Sequence, residues 1–137
     1  MHTIFYETAE RYSLTDVGIV VPVLLRSTRR NEVRLEAKVD TGAAHCIFRR
    51  IYAESLQLNV ESGYRQRFST VSGDFVAFGH EVTLVVMGIE LSSVCYFFED
   101  ESIGRDVLGR NGWLNKIRLG VDDTGPTGLL YAARPVD

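Results

Sequence analysis

Asp40-Thr41-Gly42 sets a carboxylate, a hydroxyl and a glycine inside an otherwise apolar run, AKVDTGAAHCIF. An ionised carboxylate flanked by Val39 and by Ala43-Ala44 is costly unless it is paired or hydrogen-bonded. Gly42 permits close backbone approach or an unusual dihedral, and Thr41 brings a hydroxyl that can lock a loop. A carboxylate is one of the side chains that can serve general acid–base catalysis. The same tripeptide recurs at Asp123-Thr124-Gly125. A given tripeptide arises by chance in roughly a few per cent of chains this long, so its setting must decide. Around the second copy, Asp122, Gly125, Pro126 and Gly128 are turn formers between two apolar strands. Only twelve residues follow Gly125, too few for another helix, hairpin and closing segment. Asp123 is therefore read as a turn residue. Asp40 ends an alternating strand with no turn-forming cluster around it, and its alternative reading is an Asx-turn between two strands.

The elements that must position Asp40 are mostly strands. Val33, Leu35, Ala37 and Val39 alternate with Arg34, Glu36 and Lys38, the period of two of a half-buried strand that runs straight into Asp40. Upstream, Val17 to Leu25 is a buried-type run in which Pro22 marks an edge or bulge. Cys46-Ile47-Phe48 resumes an extended run, and a helical period over 49–57 predicts one short amphipathic helix. Gln66 to Val71 and Asp74 to Phe78 flank Ser72-Gly73 as a tight hairpin. Two further strands, Glu81 to Met87 and Ile89 to Phe98, surround Gly88, and Glu99 to Arg105 is a polar loop. Val107-Leu108-Gly109 is a short apolar segment, Asn111 to Ile117 a helical turn or two, and Ile117 to Val121 and Leu129 to Ala132 the last strands. The fold class is all-β, and no linker divides the 137 residues.

Bulk properties narrow the function. The chain has 45% hydrophobic and 24% charged residues, as a globular domain does. A net charge of −3 argues against an electrostatic nucleic-acid binder. No apolar run is long enough to span a membrane, and the N-terminal residues lack the basic start and apolar core of a signal peptide. Cys46 and Cys95 lie in apolar runs and read as buried thiols of a reducing cytoplasm, with a disulfide left open. The three histidines are too scattered for a metal site, and His45 has no ligand-spaced partner.

Strand, Asp40-Thr41-Gly42-Ala43, helix, a Gly-bearing hairpin at Thr70-Val71-Ser72-Gly73-Asp74, then Val107-Leu108-Gly109-Arg110-Asn111 follow one another along the chain. In that order the chain resembles the retropepsins, the retroviral-type, single-lobed aspartic proteases, and looks like a stand-alone cellular or bacterial member. The resemblance covers about residues 17–121, and residues 1–16 have no counterpart in it. It implies a closed β-barrel or sandwich lobe with one or two short helices, active as a homodimer without metal or cofactor. It implies that Asp40 is catalytic and that Thr41 reaches the partner's loop. Gly42 would offer its carbonyl to an extended protein or peptide substrate, and Ser72-Gly73, followed by Asp74, would tip a flap that closes over it. An ordinary solvent turn is the alternative for that hairpin. Leu108, Gly109, Arg110 and Asn111 would be structural. Leu129 to Ala132, within a C-terminal part spanning 122–137, would either interleave in a dimer sheet or close its own lobe.

Two alanines mark where the pattern shifts. Ala43 has no hydroxyl to stabilise the ionised carboxylate, which predicts a pH optimum nearer weakly acid to neutral than strongly acid. Family members often carry a polar residue where this chain has Ala44; in retroviral enzymes it contacts substrate backbone and pairs with the arginine matching Arg110. Here Arg110 needs another acceptor, such as Asp106, a backbone carbonyl or a partner group. The expected function is aspartic endopeptidase. Ala44 keeps open the alternative of a non-catalytic peptide-binding or regulatory domain of the same fold.

Overall fold

The alternation before Asp40 is realised as strand β3 (Glu32–Val39), with Leu35 and Ala37 buried and Arg34, Glu36 and Lys38 exposed. A computed structural model describes residues 1–136, and Asp137 lies outside the described residues. Ahead of β3 come β1 (Thr8–Tyr12) and β2 (Ile19–Arg26); after it come β4 (Ile47–Phe48) and the single short helix α1 (Arg50–Ser55). The chain continues through β5 (Tyr64–Thr70), β6 (Gly73–Val86), β7 (Ile89–Phe98), β8 (Val107–Leu108), β9 (Arg118–Asp122) and β10 (Gly128–Ala133). Short 3-10 turns occupy Val60–Ser62 and Leu114–Lys116. No helix is long and apolar enough to cross a membrane.

Seven strands form one sheet in the order β2-β3-β8-β4-β7-β6-β5. A further pairing of Val23–Arg26 with Val86–Thr83 joins β2 to β6 and closes six of these strands into a ring, leaving β5 as an arm on β6. Pro22 sits one residue before that seam, where it pairs with β3 but has no partner on its other side, so its missing N–H breaks no ladder bond. Val21, Leu25, Phe48, Leu84, Phe97, Leu108 and Trp113 fill the interior with less than 2% of their surface exposed. Each such side chain contributes roughly 1.5–3 kcal/mol through burial.

Two features depart from the sequence reading, and one alternative it left open is decided within this chain. The strands expected at Asp74–Phe78 and Glu81–Met87 are one continuous strand, β6, because β7 pairs with it without a break from Val86↔Ile89 to Ala77↔Phe98. The N-terminal residues, left without a role, supply β1. It pairs antiparallel with β10 over Thr8↔Ala132 to Tyr12↔Gly128 and buries Tyr12. Consequently β10 is the centre of a second sheet, β1-β10-β9, with both edges hydrogen-bonded inside its own chain. Of the two roles open to Leu129–Ala132, it closes its own lobe here.

Candidate active site

β3 delivers Asp40 to the point where two loops cross. The Asp40 N–H donates to the Leu108 carbonyl at 2.9 Å, continuing the parallel pairing of Lys38 and Val39 with Val107 and Leu108. The Gly42 N–H donates to Asp40 Oδ1 at 2.9 Å, and the Ala43 N–H to the Asp40 carbonyl at 3.2 Å. From the other loop, the Arg110 N–H donates to Ala43 and the Asn111 N–H to Ala44, both at 2.9 Å. The carboxylate is thus held by a turn that is itself bolted to the β8 segment.

Gly109 makes this crossing feasible. A Cβ there would lie 2.2 Å from the His45 carbonyl oxygen and 2.8 Å from that of Ala43. Both are backbone atoms that cannot rotate away, so any side chain would push the two loops apart.

Asp40 opens on a cleft of about 320 Å³. Gly42, Ala43, Ala44 and His45 form its floor, and Ile47 and Val107 its inner wall. Phe68, Ser69, Thr70 and Phe75 of the β5–β6 arm overhang it, and Phe98 and Arg105 complete the lining. Phe68 stacks on its cross-strand partner Phe75 at 5.1 Å between ring centres, and Phe75 meets Phe98 edge-on, also at 5.1 Å. His45 sits against Phe68 and Tyr96 at 5.5 and 5.0 Å; burial there pushes its pKa below the usual imidazole value. Among the described residues, Asp40 is the one carboxylate lining the cleft.

The remaining expected site residues fall as follows. Thr41 is exposed at the open end of the loop. The hairpin tip is Val71-Ser72, one residue earlier than expected, because Thr70 already pairs with Gly73. The Thr70 hydroxyl accepts from the Ser72 N–H at 3.2 Å and donates to the Gly73 carbonyl at 2.8 Å. Gly73 begins the return strand at φ +123°, a value that favours glycine. Ser72, Gly73 and Asp74 border a second recess beside the cleft, with Arg105 on its far side. Arg110 is exposed and forms no ion pair among the described residues. Asp106, named as one acceptor for it, is held by Arg49 instead: the Arg49 N–H donates to Oδ1 at 2.9 Å and its Nε to Oδ2 at 3.0 Å.

The second tripeptide is a turn. The Asp122 carboxylate accepts from the Thr124 N–H and hydroxyl, and Asp123 Oδ1 accepts a 2.5 Å hydrogen bond from the buried Tyr12 hydroxyl. Cys46 and Cys95 are both free and buried. Hydrogen bonding with Cys46, together with burial, holds the Cys95 thiol protonated well above its ordinary range.

Sequence reasoning missed His45, Ile47, Phe68, Phe75, Phe98, Arg105 and Val107 as cleft residues. A signal existed for two of them: Phe68 and Phe75 stand symmetrically about the hairpin tip, where antiparallel register makes them a pair.

Comparison with known proteins agrees with this geometry. The protease of EIAV, solved with the inhibitor HBY-793, aligns at 22% identity over 72% of this chain and 86% of its own, with a TM-score of 0.55. A retropepsin-like aspartic protease from Rickettsia conorii aligns at 17% identity over 97% of this chain and 99% of its own, with a TM-score of 0.58. The retroviral protease-like domain of Ddi1 from Leishmania major aligns at 23% identity over 79% and 84%, with a TM-score of 0.54. At these identities the likeness concerns the fold, which is retropepsin-like. No curated protein sequence matches the chain. The sequence profile described as aspartyl protease matches residues 21–111, from inside β2 through the crossing at Asn111, and by that match the chain belongs to the aspartyl protease family.

Proposed function

We propose that this protein is an aspartic endopeptidase whose catalytic pair is Asp40 from each of two identical chains. The observation that carries this reading is the cleft with a single carboxylate: among the described residues it is lined by Asp40 and the β5–β6 hairpin and by no second acid. Aspartic proteolysis needs two carboxylates around one water, one ionised and one protonated. Two such charges about 3 Å apart repel by roughly 5 kcal/mol at an effective dielectric near 20. One shared proton is the established state of aspartic-protease pairs for this reason. A two-fold axis passing between two copies of the Asp40 loop supplies the missing acid.

The steps balance as follows. The ionised carboxylate takes a proton from the water while the water oxygen bonds to the scissile carbonyl carbon. The protonated carboxylate gives its proton to the carbonyl oxygen, yielding a neutral gem-diol. The peptide nitrogen then takes the proton first removed from water and the C–N bond breaks, while the second carboxylate recovers a proton from a gem-diol hydroxyl. A carboxylic acid and an amine leave, and the pair again holds one proton. In this reading Phe68, Thr70 and Phe75 on the β5–β6 arm close over the bound peptide and exclude water from this charge separation. In this reading Thr41, which is exposed, meets the partner's loop.

Cleavage of a mixed peptide library by wild type and by Asp40→Asn tests the reading. The expected result is cleavage by wild type only, with the substitution costing on the order of a thousandfold or more. Equal activity in both proteins would dismiss Asp40 as the catalyst.

A further inference from the structure

The cleft carries one group that the hydrolytic chemistry does not use. Arg105 lines it beside Val107 and Phe98, close to where Asp40 opens. Its neighbour Asp106 is fixed through both backbone and side chain. The Asp106 carbonyl accepts from the Lys38 N–H at 3.0 Å, and the Asp106 side chain, only 11% exposed, is gripped by Arg49. The Arg105 guanidinium, in contrast, forms no ion pair with any described residue. Asp74, across the adjoining recess, lies beyond the 4.0 Å reach of a salt bridge. His45 is pushed toward its neutral form by burial, which leaves Arg105 as the permanent cation of the cleft. Arg105 is exposed beside Phe98 and Val107, and its unpaired guanidinium offers a carboxylate two parallel charge-assisted hydrogen bonds.

We infer that Arg105 is a specificity-determining residue, selecting substrates that carry an acidic side chain, Asp or Glu, close to the bond to be cut. This rests on the endopeptidase reading for the cutting, though not for the binding. In the symmetric dimer each protomer brings its own Arg105, so the preference falls on both sides of the scissile bond.

The test has two arms. In the first, wild type, Arg105→Glu and Arg34→Glu digest a peptide library randomised around the cleavage position. Arg34 is exposed on β3 outside the cleft, and its substitution makes the same change in net charge. Wild type and Arg34→Glu are expected to enrich Asp and Glu near the cut. Peptides with Glu there should exceed their Lys counterparts by about 10- to 100-fold in kcat/KM, and Arg105→Glu should reverse the order. Cleavage without acidic enrichment, or with enrichment that persists in Arg105→Glu, overturns the inference.

In the second arm, fluorescent peptides differing only in Glu, Gln or Lys at one position are titrated against Asp40→Asn and against the double variant with Arg105→Glu. Selective binding of the Glu peptide that the double variant loses supports the role of Arg105, even if no protein cleaves. In that case it is the endopeptidase reading that fails. Binding that is equal for the three peptides, or absent, overturns the role of Arg105 itself.

Discussion

Two Asp-Thr-Gly tripeptides in one chain stand in opposite settings because their neighbours differ. Asp40 is tied only by backbone N–H groups and faces a cleft, whereas Asp123 accepts from a buried hydroxyl and faces its own sheet. Asp123→Asn is therefore expected to leave peptide cleavage intact while Asp40→Asn removes it, measured on one substrate with both proteins. Asp123 should also be visible in alkaline solution. Its hydrogen bond, reinforced by burial, pushes the Tyr12 hydroxyl from 10.0 up to about 12. A folded-state pKa above the unfolded one means that this contribution to stability is complete below pH 10 and is lost as the pH rises toward 12. Melting temperature followed from pH 9 to pH 12 should fall more steeply in wild type than in Tyr12→Phe. Parallel curves would show that Tyr12 does not couple to folding.

At the scale of elements, the crossing of the Asp40 loop with the β8 segment is the feature on which the site depends. Gly109→Ala places a methyl group against two carbonyl oxygens. It should cost about 2–3 kcal/mol in urea unfolding and depress activity together with stability, because the carboxylate turn moves with its brace. Gly73→Ala meets no atom within 4 Å and acts through φ alone. It should strain the hairpin locally by about 1–2 kcal/mol and lower kcat/KM with little change in the global unfolding midpoint. Much of this architecture was readable in advance, since β3 alternates with period two, α1 keeps a helical period and the Leu-Gly-Arg-Asn segment follows at the right distance. What escaped reading depends on partners remote in sequence. β1 is a strand because β10 lies beside it, and β6 runs unbroken through Gly79 because β7 pairs along it. Arg105 sits in a polar loop with no local period, next to Asp106, whose anchor Arg49 is remote in sequence.

For the whole molecule, one carboxylate per cleft means that the proposed activity would depend on assembly. β10 is closed on both edges by β1 and β9. In the proposed dimer the contact would fall on the Asp40–Ala44 loop, where Thr41, Gly42 and Ala44 are exposed, and on the outer edge of β1 or β9, where Val121 is exposed. No strand of the partner can insert at the centre of that sheet. Such a contact should be reversible, so specific activity should fall on dilution as dimers dissociate, in step with the mass seen by sedimentation. Subunit mixing separates this from a site complete within one chain. When wild type is held constant and pre-equilibrated with an equal amount of Asp40→Asn, random pairing leaves only about half of the wild-type chains in wild-type pairs. Activity should then drop to about half if both carboxylates are required. An intrachain site would keep its full rate, because the added protein would be a spectator. Adding Asp123→Asn in place of Asp40→Asn controls for dilution and exchange: it should raise the activity, since either chain can supply Asp40. A rate that stays undiminished on adding Asp40→Asn would show that Asp40 is not shared across a subunit boundary.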